Sequence, residues 1–136
     1  MAARAWTQTA FERAVVALKL DDNATAAERL RVLARLGHSD AQYHLGMMYA
    51  FGWGVPKNDE VAIRWFSRAR LWPDGASEAA APAEYYVGKR LEEGLGVPKD
   101  LAEARKWYER AATGGYPKAK QWLESHTANA PVPKGP

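Results

Sequence analysis

The sequence predicts an all-α protein, a short right-handed α-solenoid of antiparallel helix pairs with about seven helices. The main observation is an internal repeat, because residues 41–70 and 83–112 align without a gap at an offset of 42. Within each copy, apolar residues recur at helical spacing, and a third, partial copy begins at Ala119. Units of this kind bury their apolar faces by stacking on their neighbours.

The first helix of the second copy carries its apolar residues on one face and ends at a glycine. Ala83, Val87 and Leu91 fall at positions i, i+4 and i+8. Gly94 is expected to end the helix in the left-handed conformation, which glycine adopts at little cost. Gly88 lies inside the helix, where glycine costs about 1 kcal/mol relative to alanine. We attribute it to a close approach of the partner helix's backbone.

The second helix of the repeat begins after a capping residue and buries one stripe. Asp100 is predicted to be the N-cap with Glu103 as its capping-box partner, and Asn58 occupies the same slot in the first copy. The stripe predicted to face the core comprises Leu101, Ala104, Trp107, Tyr108 and Ala111. Trp107 is predicted to be structural and to fill the gap between repeats, because Trp65 recurs at the same slot.

Together these residues resemble the Sel1-like repeat family, a relative of the tetratricopeptide repeats. The family pattern is A-x-x-x-L-G-x-x-Y, then G-x-G-V, then D, then A-x-x-W and A-A-x-x-G. The matches in the first copy are Ala41, Leu45, Gly46, Tyr49, Gly52, Gly54, Val55, Ala62, Trp65 and Ala69. The matches in the second copy are Ala83, Gly88, Gly94, Gly96, Val97, Asp100, Ala104, Trp107, Ala111, Ala112 and Gly115. The resemblance implies an α-solenoid used as a binding scaffold, with no catalytic residues shared by the family.

The solenoid is predicted to span residues 1–126, followed by a disordered tail at 127–136. Its units are a degenerate N-terminal helix pair at 7–37, repeats at 39–71 and 82–115, and a C-terminal capping helix at 117–126. In the N-terminal pair, Thr25 is predicted to cap the second helix, with Glu28 as its box partner. Residues 72–81 are interpreted as an insertion between the copies. The tail carries prolines and no apolar periodicity, which is typical of disorder.

The composition argues against several classes of protein. The chain has 19 basic and 16 acidic residues, a formal net charge of +3, and no cysteine. The basic residues are spread through the helices and form no visible stripe, so we expect no nucleic-acid partner. No apolar run is long enough to span a bilayer, so we expect no membrane partner. Disulfides are impossible without cysteine, which favours the cytoplasm over the periplasm. We expect a monomer.

No pattern in the sequence indicates catalysis. The three histidines, His38, His44 and His126, lack the spacing of metal ligands. The Gly-Trp-Gly and Gly-Leu-Gly runs link helix to helix, whereas phosphate-binding loops link strand to helix. Glu92 and Glu93 are neighbours on a helix and do not face each other, so they are interpreted as solvated surface. We therefore expect that the protein is not an enzyme and binds no cofactor and no metal.

The resemblance to tetratricopeptide-like units implies that the first helix of each pair lines the concave side. The residues that it predicts for partner binding are Tyr43, Met47, Phe51, Tyr85, Lys89, Glu93 and Gln121, with Trp53 in the loop. Tyrosine and methionine are enriched in interface cores. Each assignment has an open alternative. Tyr43 and Tyr85 could instead fill gaps between adjacent first helices, and Trp53 could instead fold over its loop and pack against Val55.

These features predict a non-catalytic interaction scaffold or adaptor that binds a peptide or helix of a partner protein on its concave face. The alternative is a dedicated inhibitor or immunity-type protein that blocks one enzyme. The two differ in their partners, because an inhibitor has one partner of nanomolar affinity, whereas an adaptor has several weaker ones.

Overall fold

The computed structural model describes residues 2–69 and 78–128, which form seven α-helices. They are α1 (Ala2–Lys19), α2 (Asn23–Arg35), α3 (Ser39–Phe51), α4 (Asp59–Ala69), α5 (Ala80–Glu93), α6 (Leu101–Thr113) and α7 (Pro117–Ala128). Each helix packs on the one that follows it in the chain, and the described residues contain no strand. The predicted all-α solenoid is confirmed.

Several helix boundaries differ from the predicted ones. α1 begins at Ala2 rather than at residue 7, and α5 begins at Ala80, inside the predicted insertion 72–81. α7 continues to Ala128, so the first two residues of the predicted tail are helical. The tail residues 129–136 and the insertion residues 72–77 lie outside the described part of the chain. The disordered tail therefore stays a prediction.

The N-cap residues agree with the sequence in the two repeats and differ in the N-terminal pair. The predicted capping box is not formed, because the Asp100 amide donates to the Leu91 carbonyl at 2.9 Å. The Asp100 carboxylate accepts a hydrogen bond from the Glu103 amide at 2.9 Å, and the Asn58 side chain accepts one from the Val61 amide at 3.1 Å. The prediction that Thr25 caps α2 is wrong. The cap is Asp22, whose carboxylate accepts from the Thr25 amide, because α2 already begins at Asn23.

In each of the two repeats, the centre of the helix pair is filled by the aromatic residue that follows the repeated tryptophan. Phe66 and Tyr108 are fully buried, whereas Trp65 and Trp107 are partly buried at the edges of the core. Gly88 was predicted to face the backbone of the partner helix, and this is wrong. It faces the ring of Tyr108. Aromatic bulk, rather than close backbones, explains that glycine.

The buried stripe of α6 is shorter than predicted. Ala104, Tyr108 and Ala111 are fully buried. Leu101 is 52% exposed, so its place on this stripe is wrong. It is the first residue of α6 and lies one turn before the part of the helix that packs on its neighbours.

The core is distributed along the chain in three hydrophobic clusters. The first contains Leu30, Leu33 and Leu45, the second is built around Phe66, and the third around Tyr108. This is the arrangement expected of a solenoid, in which each unit contacts only its neighbours. Within the described helices, no apolar stretch is long enough to cross a membrane.

The loop of each repeat rests on the start of the second helix of the preceding pair. Gly54 and Gly96 have φ angles of 70° and 74°. A Cβ on Gly54 would lie 2.6 Å from the backbone of Asn23, and a Cβ on Gly96 would lie 2.6 Å from the amide nitrogen of Glu60. The glycines therefore allow a direct backbone contact between successive pairs, and this contact positions Trp53 beside the start of α2.

Candidate functional site

A pocket of about 430 Å³ is bounded by α1, the turn between α1 and α2, and α3. Its lining consists of Leu18, Asp21, Asn23, Tyr43, His44, Met47, Met48 and Trp53, and we call it the Trp53 pocket. Asp21, with φ 58°, lines this pocket from the turn. The structure thus brings three of the predicted partner-binding residues, Tyr43, Met47 and Trp53, into one cavity.

Two aromatic side chains are exposed beside this pocket. Phe51 and Trp53 are 48% and 45% exposed, and their rings stack with centroids 5.1 Å apart and planes at 24°. The Trp53 amide donates to the Met48 carbonyl at 2.9 Å, which fixes the chain where it leaves α3. Trp53 therefore packs on Phe51 and keeps nearly half of its surface open to solvent. An exposed aromatic anchor has this arrangement.

A row of aromatic rings runs along the first helices of the pairs. Its members, which we call the aromatic ladder, are in spatial order Phe11, His44, Tyr43, Tyr86, Tyr85 and Tyr116. The successive ring centroids are separated by 5.4, 5.5, 6.3, 5.5 and 5.0 Å. The ladder joins α1 to α3, α3 to α5, and α5 to the residue that precedes α7.

Tyr43 and Tyr85 occupy the same repeat slot but do not stack on each other, because Tyr86 lies between them. Both are half-buried, and burial raises the pKa of each phenol above its ordinary value. They fill space between adjacent first helices and still reach the surface. Tyr86 was missed in the sequence, although it shares its repeat slot with His44, another aromatic ring on the ladder.

The other predicted binding residues lie away from the Trp53 pocket. Lys89 and Glu93 form a partly exposed ion pair on α5 with the ammonium and carboxylate 3.8 Å apart. Gln121 is exposed on α7. The interpretation of Glu92 as solvated surface is wrong, because its carboxylate accepts a hydrogen bond from the Tyr108 hydroxyl at 2.7 Å.

A buried ion pair joins the two repeats beneath the ladder. Arg90 is 6% exposed, and its guanidinium lies 3.5 Å from the Asp59 carboxylate and 5.9 Å from the ring centroids of Phe66 and Tyr86. Arg90 was also missed in the sequence. The available signal was its repeat slot, which in the first copy holds the buried Met48.

His38 and His44 are packed against neighbouring side chains of the fold. The His38 ring accepts a hydrogen bond from the Ala41 amide at 3.1 Å and so caps α3, and it stacks on Phe11 at 4.8 Å. Burial lowers the pKa of both His38 and His44, and the nearby Asp40 carboxylate partly opposes this shift. Among residues 2–69 and 78–128, no group of three or more His, Asp or Glu side chains is placed to hold a metal ion.

The helix pairs, the loop contacts and the exposed first-helix surface define a repeat protein of the α-solenoid class. The chain belongs to the Sel1 repeat family, whose model matches residues 39–70 and 81–116. Proteins of this family are generally non-catalytic scaffolds for protein–protein interaction.

Solved structures of bacterial proteins share this fold. A Sel1 repeat protein from Oxalobacter formigenes is 36% identical, with a TM-score of 0.74 and coverage of 88% of each chain. A protective antigen from uropathogenic Escherichia coli is also 36% identical, with a TM-score of 0.59, over 66% of this chain and 18% of the antigen. The cysteine-rich protein B of Helicobacter pylori shares the fold at 20% identity, with a TM-score of 0.62. The match covers 85% of this chain and 92% of the Helicobacter protein. A search of curated proteins found no significant match.

Proposed function

We propose that this protein is a non-catalytic adaptor that binds a peptide or helix of a partner protein on the concave face of its solenoid, with the Trp53 pocket as the main anchoring site. The observation that carries the proposal is the exposed stack of Phe51 and Trp53 at the edge of a 430 Å³ pocket. Tryptophan and tyrosine at such positions often contribute about 2 kcal/mol or more of binding free energy.

The chemistry of the pocket suggests what kind of segment enters it. Leu18 and Met47 offer apolar contacts, and methionine adapts its shape to different side chains. Asp21 offers a carboxylate to a lysine or arginine of the partner. We therefore expect a segment with a large apolar side chain flanked by a basic one.

The aromatic ladder extends the proposed binding surface beyond the pocket. Tyr85 continues the row along α5, with the ion pair of Lys89 and Glu93 on the same helix and Gln121 on α7. An amphipathic helix that lies along a groove presents anchors at i, i+3, i+4 and i+7. A helix of the partner would place its first anchor in the Trp53 pocket and later turns beside Tyr85.

The test starts with a peptide-display selection against the wild-type protein, followed by titration of the selected peptide with purified variants. Trp53→Ala is expected to weaken binding by about tenfold or more, because it removes a central aromatic anchor. The matched control is Trp6→Ala, which removes a ring of similar exposure, 55%, from α1. Both variants should keep the wild-type circular-dichroism spectrum.

Two outcomes would count against the proposal. Equal binding by wild type and Trp53→Ala would show that the pocket is not the anchoring site. Loss of binding in Trp6→Ala alone would move the site to the groove between α1 and α2. A single natural partner that is an enzyme, bound at nanomolar affinity and inhibited, would favour the alternative of a dedicated inhibitor.

A further inference from the structure

A second cleft, distinct from the proposed binding surface, lies between α2 and α4. Its volume is about 250 Å³, and we call it the arginine cleft because Arg31 and Arg35 of α2 and Arg64 and Arg68 of α4 all line it. Tyr49 of α3 contributes to the same lining. It shares no residue with the Trp53 pocket. The sequence showed no basic stripe and so gave no sign of this cleft, because folding brings together arginines from two separate helices.

Neutral groups hold two of these guanidinium groups in place. Arg31 donates a hydrogen bond to the Tyr49 hydroxyl at 3.4 Å. Arg68 lies over the ring of Trp65, with its guanidinium carbon 5.1 Å from the ring centroid. A guanidinium remains charged at any ordinary pH and carries five N–H donors, so these contacts leave its charge and most of its donors available.

Carboxylates compensate little of this positive charge. In the part of the chain that the structure describes, the ion pair of Arg64 with Glu60, at 3.3 Å, is the one salt bridge made by the four arginines. Both partners are about two-thirds exposed, at 65% and 67%, and pairs of this kind contribute little. Among the described residues, the four like charges of the cleft thus meet one paired carboxylate, and it is exposed. An anionic ligand would relieve their mutual repulsion.

The charge pattern along the solenoid favours a short acidic peptide over a nucleic acid as the ligand of this cleft. On α6, the next second helix, Arg105 pairs with Glu109 at 3.3 Å and Lys106 pairs with Glu103 at 3.6 Å. Arg110, the third cation of α6, lies over the ring of Trp107, with its guanidinium carbon 4.9 Å from the ring centroid. Two of the three cations of α6 are therefore paired with carboxylates, against one of the four arginines of the cleft, so the density of unpaired positive charge falls from the cleft to α6. Nucleic-acid binding requires an extended basic surface that follows the phosphate backbone.

We propose that the arginine cleft is a second binding site, which takes a short protein segment with clustered aspartate or glutamate side chains. Arginine binds carboxylates through paired, parallel hydrogen bonds, and guanidinium groups on both sides of a cleft can hold neighbouring carboxylates at once. With the Trp53 pocket, the chain would then carry two sites of different chemistry, one for apolar and one for acidic segments.

The test titrates fluorescently labelled hexaglutamate and hexaglutamine peptides at about 50 mM NaCl, where charge interactions are weakly screened. Hexaglutamate is expected to bind about tenfold more tightly than hexaglutamine to the wild type. The double variant Arg35→Gln, Arg64→Gln should lose most of this preference. The control variant Lys99→Gln, Lys120→Gln removes the same charge from two exposed lysines elsewhere and should keep it.

Further measurements show whether hexaglutamate binds at the arginine cleft, at the Trp53 pocket, or through the net charge of the protein. Trp53→Ala should bind hexaglutamate like the wild type, because the two sites share no residue. An equal loss of binding in the arginine and lysine variants would overturn the proposal, because it would show a general effect of net charge. Tighter binding of oligothymidylate than of hexaglutamate, dependent on the same arginines, would overturn it in favour of a nucleic-acid site. Should the double variant fail to fold, Arg35→Gln alone, which changes one exposed residue, replaces it.

Discussion

The ring of Phe66 in α4 lies directly against Gly46 in α3, so that a Cβ at position 46 would be 2.8 Å from two of the ring carbons. The same relationship recurs one repeat later, where a Cβ at Gly88 would be 3.0 Å from the ring of Tyr108. Both rings are fully buried. In each pair the glycine leaves the space that the central aromatic ring occupies.

Gly46→Ala is therefore expected to destabilise the fold by about 1–3 kcal/mol, because the new methyl group overpacks the ring of Phe66. Phe66→Leu replaces that ring with a smaller side chain. The double variant should lose less stability than the sum of the two single changes. Urea unfolding followed by circular dichroism measures all three. Additivity within about 0.5 kcal/mol would mean that the two residues do not interact.

The free energy of unfolding should decrease as the pH is lowered through the range where histidine titrates. Burial lowers the pKa of His38 and His44 below the ordinary value, so the unfolded chain takes up protons first as the pH falls. The two neutral histidines contribute fully to stability above about pH 7. This contribution is lost as the pH drops below about 6.5, the pKa of an unperturbed histidine. Melting temperatures at about pH 7 and about pH 5 should differ in this direction.

His38→Asn tests the origin of that pH dependence. Asparagine is a good N-cap and can still accept the hydrogen bond from the Ala41 amide, but it does not titrate. The variant should show a smaller difference in melting temperature between the two pH values than the wild type. An unchanged difference would assign the effect to other groups, with His44→Gln as the next variant.

Removal of Arg90 should destabilise the junction between the two repeats. Arg90→Met leaves the Asp59 carboxylate, whose side chain is 17% exposed, without its cationic partner, and the expected loss is about 2 kcal/mol. Adding Asp59→Asn should restore part of the loss. The control is Arg64→Met, which breaks the exposed pair with Glu60 and should change stability by less than about 0.5 kcal/mol. Equal effects of the two methionine variants would contradict a special role for Arg90.

Gly54→Ala should affect stability and binding together. The substitution forces alanine into a left-handed backbone conformation and places its Cβ against the backbone of Asn23, so the loop that carries Trp53 must move. Gly115→Ala is the control, because Gly115 also has a positive φ but open space around its Cβ position. Gly54→Ala should be less stable than the control by about 1 kcal/mol or more. It should also weaken binding of the peptide selected in the display experiment, whereas the control should not.

Part of the candidate site was predictable from the sequence and part was not. The resemblance to tetratricopeptide-like units placed Tyr43 and Met47 on one surface, and the structure brings them together with Trp53 in one pocket. Tyr86 and Arg90 were not identified, since their repeat slots in the first copy indicate contact with the core but do not fix how deeply each side chain is buried. Their depth depends on how α5 is rotated against α4, which many side chains decide together.

The sequence by itself determined the helix pairs, the caps at Asn58 and Asp100, and the glycines that end α3 and α5. These features depend on hydrogen bonds, backbone angles and apolar spacing within a few residues, so the local sequence contains the information. Only the tertiary structure decided that the loop at Gly54 rests on Asn23 and that arginines of α2 and α4 share one cleft. Such contacts join residues from different units, and their geometry follows from the packing of the units rather than from any one segment.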